Sequence, residues 1–179
     1  MKKLSTKNLA FMSLLIALNI ILGQFTIPIS PTSRMGIGFI TTVFMALCFG
    51  PMYAGIGAGI CDVLKFLLMP SGGAFFPGYT LTAFLGGMLY GFVLYRKHFS
   101  WWRIIVARFL VVFFCNFLLN SYWLTLTAVS SKGFLALALS RVPKYVLLFP
   151  FEVLLIFFVW KYIFSLISSK LQDPAPKIS

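Results

Sequence analysis

The sequence is dominated by a series of apolar runs, most of them about as long as a membrane crossing and each closed by proline, glycine or a basic cluster. The stretch FFPGYTLTAFLGGMLYGFVLY, from Phe75 to Tyr95, shows the pattern: an aromatic, turn-rich opening, an apolar helix, and a stop at Arg96-Lys97-His98. A bilayer core of ~30 Å takes about 20 helical residues per crossing. Hydropathy and helix-breaking residues place six spans at about 8–25, 36–49, 52–69, 78–95, 104–126 and 143–168. Pro28 and Pro31 end the first, Gly50-Pro51 divides the second from the third, and Val142-Pro143 opens the sixth, where an early proline costs least. Composition agrees. Of 179 residues, 60% are hydrophobic and 10% charged, too few charges to coat a soluble domain that size. The expectation is a single domain over 1–179, an all-α membrane protein of six transmembrane helices.

The net charge of +12 raises nucleic acid as a partner, but the basic residues sit at the ends of apolar runs, where they set topology. Lys2, Lys3, Lys7, Arg96, Lys97, Arg103, Lys170 and Lys177 fall on one side of six spans; Arg34, Lys132, Arg141 and Lys144 fall on the other. That bias puts both termini in the cytoplasm and makes 26–35, 70–77 and 127–142 the outward loops. Met1-Lys2-Lys3 before an apolar run resembles a signal peptide, yet no cleavage pattern precedes Pro28, so the run reads as the first span.

Little in the chain supports catalysis. It has no Gly-x-x-x-x-Gly-Lys-Ser/Thr loop for ATP phosphates. The lone histidine, His98, reads as a solvated loop residue, and Asp62, Glu152 and Asp173 are the only acids. Cys48, Cys61 and Cys115 are scattered through apolar runs and read as small core residues, with neither a disulfide nor a metal expected. The expectations are no enzyme activity, no metal and no cofactor.

What needs explaining is the polarity inside the spans, which is costly in lipid and faces the bundle interior. Asp62 and Lys65 share one helix face, either neutralising each other or meeting a ligand. Glu152, with Arg108 or Lys161, reads as a structural ion pair, or the longer cations snorkel to the membrane surface. Asn116, Asn120 and Trp123 follow at i, i+4 and i+7, placing two amides and an indole on one face. They either bond neighbouring helices or read a heterocycle. Phe76 and Tyr79 open span four, and Arg34, Arg141 and Lys144 add positive charge to the outward side, whose loops carry no acid. Such a mouth suits a flat, aromatic, negatively charged ligand and disfavours a cation. Gly55-x-x-x-Gly59, Gly87-x-x-x-Gly91 and Ser13-x-x-x-Ala17, with Ala10 nearby, allow close helix approach, within the chain or to another subunit.

Four segments, RMGIGFITTVFMALCFGPMYAGIGAGICDVLKFLL, FFPGYTLTAFLGGMLYGFVLY, NSYWL and SRVPKYVLLFPFEVLLIFF, together resemble the folate-specific substrate-binding (S) components of energy-coupling factor (ECF) vitamin transporters. The resemblance covers about residues 8–168. It implies a six-helix protein of the bacterial cell membrane that captures folate at the outer face. It also implies a transmembrane scaffold subunit and two cytoplasmic ATPase subunits as partners, which use the ATP, and delivery of the vitamin by toppling within the membrane. Ala10, Ser13 and Ala17 then mark the scaffold contact, with serine where such proteins usually carry alanine. The loop TIPISPTSR becomes a lid over the ligand. On this reading Phe76, Tyr79 and Trp123 stack on the aromatic parts of folate. Asp62, Asn116 or Asn120 bond the pterin edge, beside Lys65, and Arg34, Arg141 and Lys144 hold the tail carboxylates. Other vitamins such as riboflavin or biotin, a stand-alone permease and a membrane-embedded enzyme are the alternatives.

Overall fold

A computed structural model of the chain describes residues 6–24, 26–30, 33–68, 75–98, 100–127 and 134–164. At 26–30, 33–35, 134–138, 140, 141, 144, 163 and 164 the description is of the backbone. Six helical segments follow one another: α1 (Thr6–Gln24), α2 (Phe39–Phe49), α3 (Pro51–Leu68), α4 (Pro77–Leu94), α5 (Trp101–Leu126) and α6 (Phe134–Phe158). Four segments are long and apolar enough to cross a membrane on those criteria alone: α1, α3, α5 and Tyr145–Tyr162, which lies in α6 and its extension. Their outer faces are hydrocarbon: Leu14 is 63% exposed and Leu147 75%. In water such surfaces would drive aggregation; in lipid they are solvated.

The short helix α2 is the axis of the bundle. Five consecutive residues, Val43 to Leu47, are buried, so no side of that stretch meets solvent or lipid. A helix apolar all round belongs in the interior. It packs against α3 and α4 and against the extension of α6. Gly50, at φ 86°, ends it in a left-handed turn that suits glycine, and Pro51 starts α3 at once. The return helix α4 lies tight against α3. A β-carbon on Gly87 would stand 2.5 Å from the Ala54 carbonyl oxygen, so this Gly-x-x-x-Gly serves packing within the chain.

The structure departs from the sequence reading in several places. Residues 26–36 form a two-stranded antiparallel hairpin, β1 (Thr26–Ser30) and β2 (Ser33–Gly36), so α2 begins at Phe39 rather than near 36. Backbone pairing between Thr26 and Gly36 returns the chain towards the bundle. The last helix starts at Phe134, and both Pro143 and Pro150 lie inside it. Proline marked its expected start, but a proline frees one carbonyl, which a membrane bundle can satisfy from neighbouring helices. Finally, Val111–Leu119 in α5 and Val159–Phe164 after α6 are π-helical, so their turns are wider than those of an α-helix.

Candidate functional site

A cavity of about 520 Å³ lies between the helices and reaches from the outer end past the middle of the bundle, to Tyr90 and Arg108. All six helices contribute to its wall, and Gly36 brings the end of the hairpin to it. Tyr79 and Tyr90 both line it and stand eleven residues apart on α4, about 16 Å along the axis at 1.5 Å per residue. Towards the cytoplasm the bundle closes on hydrocarbon: Leu94, Ile104 and Ile156 have no exposure and Trp160 has 1%. Among the described residues the space is closed on that side.

The mouth is organised around Lys65 and Asn19. Both line the cavity, and Lys65 Nζ donates to Asn19 Oδ1. The amide nitrogen of Asn19, with two protons to share, lies 2.8 Å from the Gly38 carbonyl, 2.5 Å from Thr41 Oγ1 and 3.2 Å from Thr42 Oγ1. One buried amide thus ties the end of α1 to the start of α2. Gly23 leaves room for the lysine tip: a β-carbon there would meet Lys65 Cε at 2.6 Å, and the flexible lysine would have to shift. Asp62 does not close on Lys65: its Oδ2 accepts from Thr80 Oγ1 at 2.8 Å. The hydrogen bonds of both charges thus go to neutral groups, while the two still feel each other's charge along the helix.

The floor is built differently. Arg108 on α5 donates from Nε to Glu152 Oε2 at 2.8 Å, and its terminal nitrogen stands 2.5 Å from the same oxygen. Its other terminal nitrogen donates to the Tyr90 hydroxyl at 2.6 Å. The guanidinium also lies 4.8 Å from the centre of the Phe39 ring. Arg108, Glu152 and Tyr90 are all buried and all line the cavity. The ion pair expected for Glu152 is thus with Arg108, while Lys161 is exposed and stacks over Phe157 and Tyr162.

Between floor and mouth run Asn116 and Asn120, both on the wall. Asn116 sits in the π-helical stretch, and its backbone carbonyl accepts from the Tyr145 hydroxyl at 3.2 Å. The third member of that face, Trp123, stands beside the cavity. Its indole N–H donates to Thr82 Oγ1 at 2.9 Å, and its ring lies 5.4 Å from that of Phe76. Phe76 in turn packs on Tyr79 at 5.9 Å, and of these three rings Tyr79 reaches the wall. The side chains of Arg34, Arg141 and Lys144 lie outside the described residues. Ala10, Ser13 and Ala17 form an exposed stripe of small residues on α1.

Sequence reading missed Asn19, Thr42, Tyr90 and Tyr145 as wall residues. Asn19 carried a usable signal, an amide inside an apolar span. The tyrosines carried none, being common in membrane helices. His98 lies exposed in the turn after α4. Cys61 and Cys115, read as core residues, are buried and also touch the cavity.

A polar pocket between membrane helices, closed on hydrocarbon towards the cytoplasm among the described residues, fits a membrane-embedded small-molecule binding protein. Residues 7–171 match the family described as "ECF transporter, substrate-specific component". The chain belongs to that family; it is a transporter's binding component in a bacterial membrane and not an enzyme. It is 33% identical over 163 residues to a protein of Clostridium novyi (strain NT) named folate transporter FolT, covering 91% of this chain and 92% of that one. A folate transporter FolT of Leuconostoc mesenteroides is 34% identical, with 88% and 86% covered. A solved structure described as FolT bound with folic acid superposes with a TM-score of 0.79 at 34% identity, over 87% of this chain and 92% of that one.

Proposed function

We propose that this chain is the membrane-embedded folate-binding subunit of an ATP-driven ECF vitamin transporter. The observation that carries this reading is the outward cavity, with a buried acid at its floor, amides on its wall and a lysine at its mouth. Its volume is in the range used for drug-sized ligands. Folate is a flat pterin joined through an aromatic linker to a glutamate with two carboxylates. Asp62, Asn116 and Asn120 supply hydrogen-bond partners along the wall for its N–H and C=O groups, and the Tyr79 ring supplies an apolar face. Lys65, with the outward-side cations Arg34, Arg141 and Lys144, supplies positive charge for the tail. The hairpin 26–36 acts as the lid.

Transport itself needs the scaffold subunit and two ATPases, which hydrolyse the ATP. The exposed stripe of Ala10, Ser13 and Ala17 is the surface on which the scaffold would seat, since small side chains let helices approach. Toppling on that scaffold would turn the cavity inward. The reading is tested on the purified subunit in detergent. Stoichiometric pterin absorbance, or quenching of tryptophan fluorescence by folic acid, is the expected result. A subunit that carries no chromophore and is not quenched by folic acid or its reduced forms would remove the reading.

A further inference from the structure

The helices α3 and α4 border a second space on their other side. Asp62 and Lys65 of α3 face the central cavity, whereas Ile56, Gly59, Ile60 and Leu64 face an apolar groove of about 550 Å³ between the same two helices. Along α3 the groove runs over residues 56–64, about 12 Å at 1.5 Å per residue. It exists because the two glycines of Gly55-x-x-x-Gly59 are used differently. A β-carbon on Gly55 would stand 2.8 Å from Met88 Cγ and 3.0 Å from the Phe84 carbonyl oxygen, so α3 and α4 touch there and shut the groove from below. A β-carbon on Gly59 would meet nothing nearer than Thr80 Cγ2 at 3.8 Å, so the room left by its missing side chain is not filled from within the chain. Thr80 is the one polar side chain on the wall among the described residues. Its methyl group faces Gly59, while its hydroxyl donates to Asp62 Oδ2 at 2.8 Å on the cavity side of the seam.

We propose that this groove is a binding site for one acyl chain of an outer-leaflet phospholipid. Two observations select that occupant. The groove opens between Ile56, Ile60 and Leu81, all exposed, on a surface that meets hydrocarbon in a membrane. Its outer end carries Phe75, also exposed, whose ring lies 5.1 Å from that of Phe66, so a chain descending from the headgroups passes over an apolar rim. The second observation is shape. A partner's transmembrane helix is a rod about 10–12 Å across that crosses ~30 Å of hydrocarbon. A notch of about 12 Å that ends at Gly55 gives such a rod no continuous seat, but a flexible chain can turn into it. Moving an acyl chain from the bilayer into the groove brings no hydrophobic gain. The gain is contact, because an unfilled notch forfeits dispersion attraction along both walls. Among the described residues no cation lines the groove, so the site reads the chain and not the headgroup.

The full chain is placed in vesicles of dioleoylphosphatidylcholine with a trace of a phosphatidylcholine that carries a diazirine in mid-chain. After irradiation the adducts are mapped by mass spectrometry. The α1 face at Leu14, an ordinary lipid-facing surface, is the internal reference. Adducts on 56–64 and 75–84 are expected to exceed those around Leu14 by on the order of tenfold, a preference of about 1.4 kcal/mol. Gly59→Leu fills the groove and should bring that ratio close to one, with labelling around Leu14 unchanged. A wild-type ratio near one, or a ratio kept in Gly59→Leu, overturns the site. A groove labelled less than the Leu14 face is covered by something other than lipid, such as a second copy of the chain, and overturns it too. Gly59→Leu can fail to fold, so the wild type is also labelled in vesicles of diphytanoylphosphatidylcholine, whose methyl branches make each chain bulkier. Against that competitor the straight-chain probe should be enriched about threefold further, since overpacking disfavours the branched chain. An unaltered ratio there counts against the site equally. A phosphatidylglycerol probe with the same diazirine chain should label the groove as strongly as the phosphatidylcholine one; a tenfold difference would mean that the headgroup is read and would overturn the assignment to the chain.

Discussion

The floor and the mouth of the cavity contain the same kinds of residue and use them in opposite ways. At the floor a cation and an anion from helices 44 residues apart close on each other in a buried site. At the mouth a cation and an anion three residues apart on one helix turn instead to an amide and a hydroxyl. The two ends differ in how freely their charges can change partners. A buried charge released from its counter-ion is costly, so the floor is fixed when the bundle folds. Charges held by neutral groups can exchange those groups for a ligand's charges at modest cost. The floor is a fixed ion pair, and the mouth holds two charges whose partners can be exchanged.

The largest effect is expected from Arg108→Met. It strands Glu152 and should lower stability by about 3–5 kcal/mol, read as a fall in apparent Tm in detergent without ligand. The double replacement Arg108→Met with Glu152→Met should recover most of that loss, because no buried charge remains. A single variant that melts like the wild type would erase the contrast between the two ends.

A smaller, different effect is expected from Lys65→Met. Folic acid affinity should fall by about 2–3 kcal/mol, while the ligand-free Tm moves little. Titration with folic acid dimethyl ester, whose tail is neutral, should show the two proteins nearly equal. An equal loss for the ester would separate Lys65 from the tail.

The smallest effect belongs to Thr80→Val, which removes one hydrogen bond to Asp62. Interhelical bonds in membranes average about 0.6 kcal/mol, so the Tm shift should be slight. A shift matching that of Arg108→Met would mean that Asp62 depends on its partner no less than Glu152 does.

Much of this architecture is written locally. The apolar runs, their breakers and the sidedness of basic residues needed no tertiary information, because lipid solvation acts on each span separately. The Gly50-Pro51 division between α2 and α3 and the inward face of Asn116 and Asn120 were legible for the same reason. Pro143 misled because its cost depends on what neighbouring helices can supply, and the hairpin was hidden in a loop rich in proline and serine.

The sequence alone determined that this chain lives in a bilayer, which way it runs, and that its buried polar groups must find partners. Only the packed structure decided which partners. Lys65 could have met Asp62 three residues away, yet it reached Asn19, 46 residues distant, because α1 and α3 pack side by side at the mouth. Glu152 could have taken Lys161 and took Arg108, because α5 crosses α6 at the floor. Desolvation demands a partner for each polar group, but the choice follows from the distance between side chains, and that distance is a property of the assembled bundle.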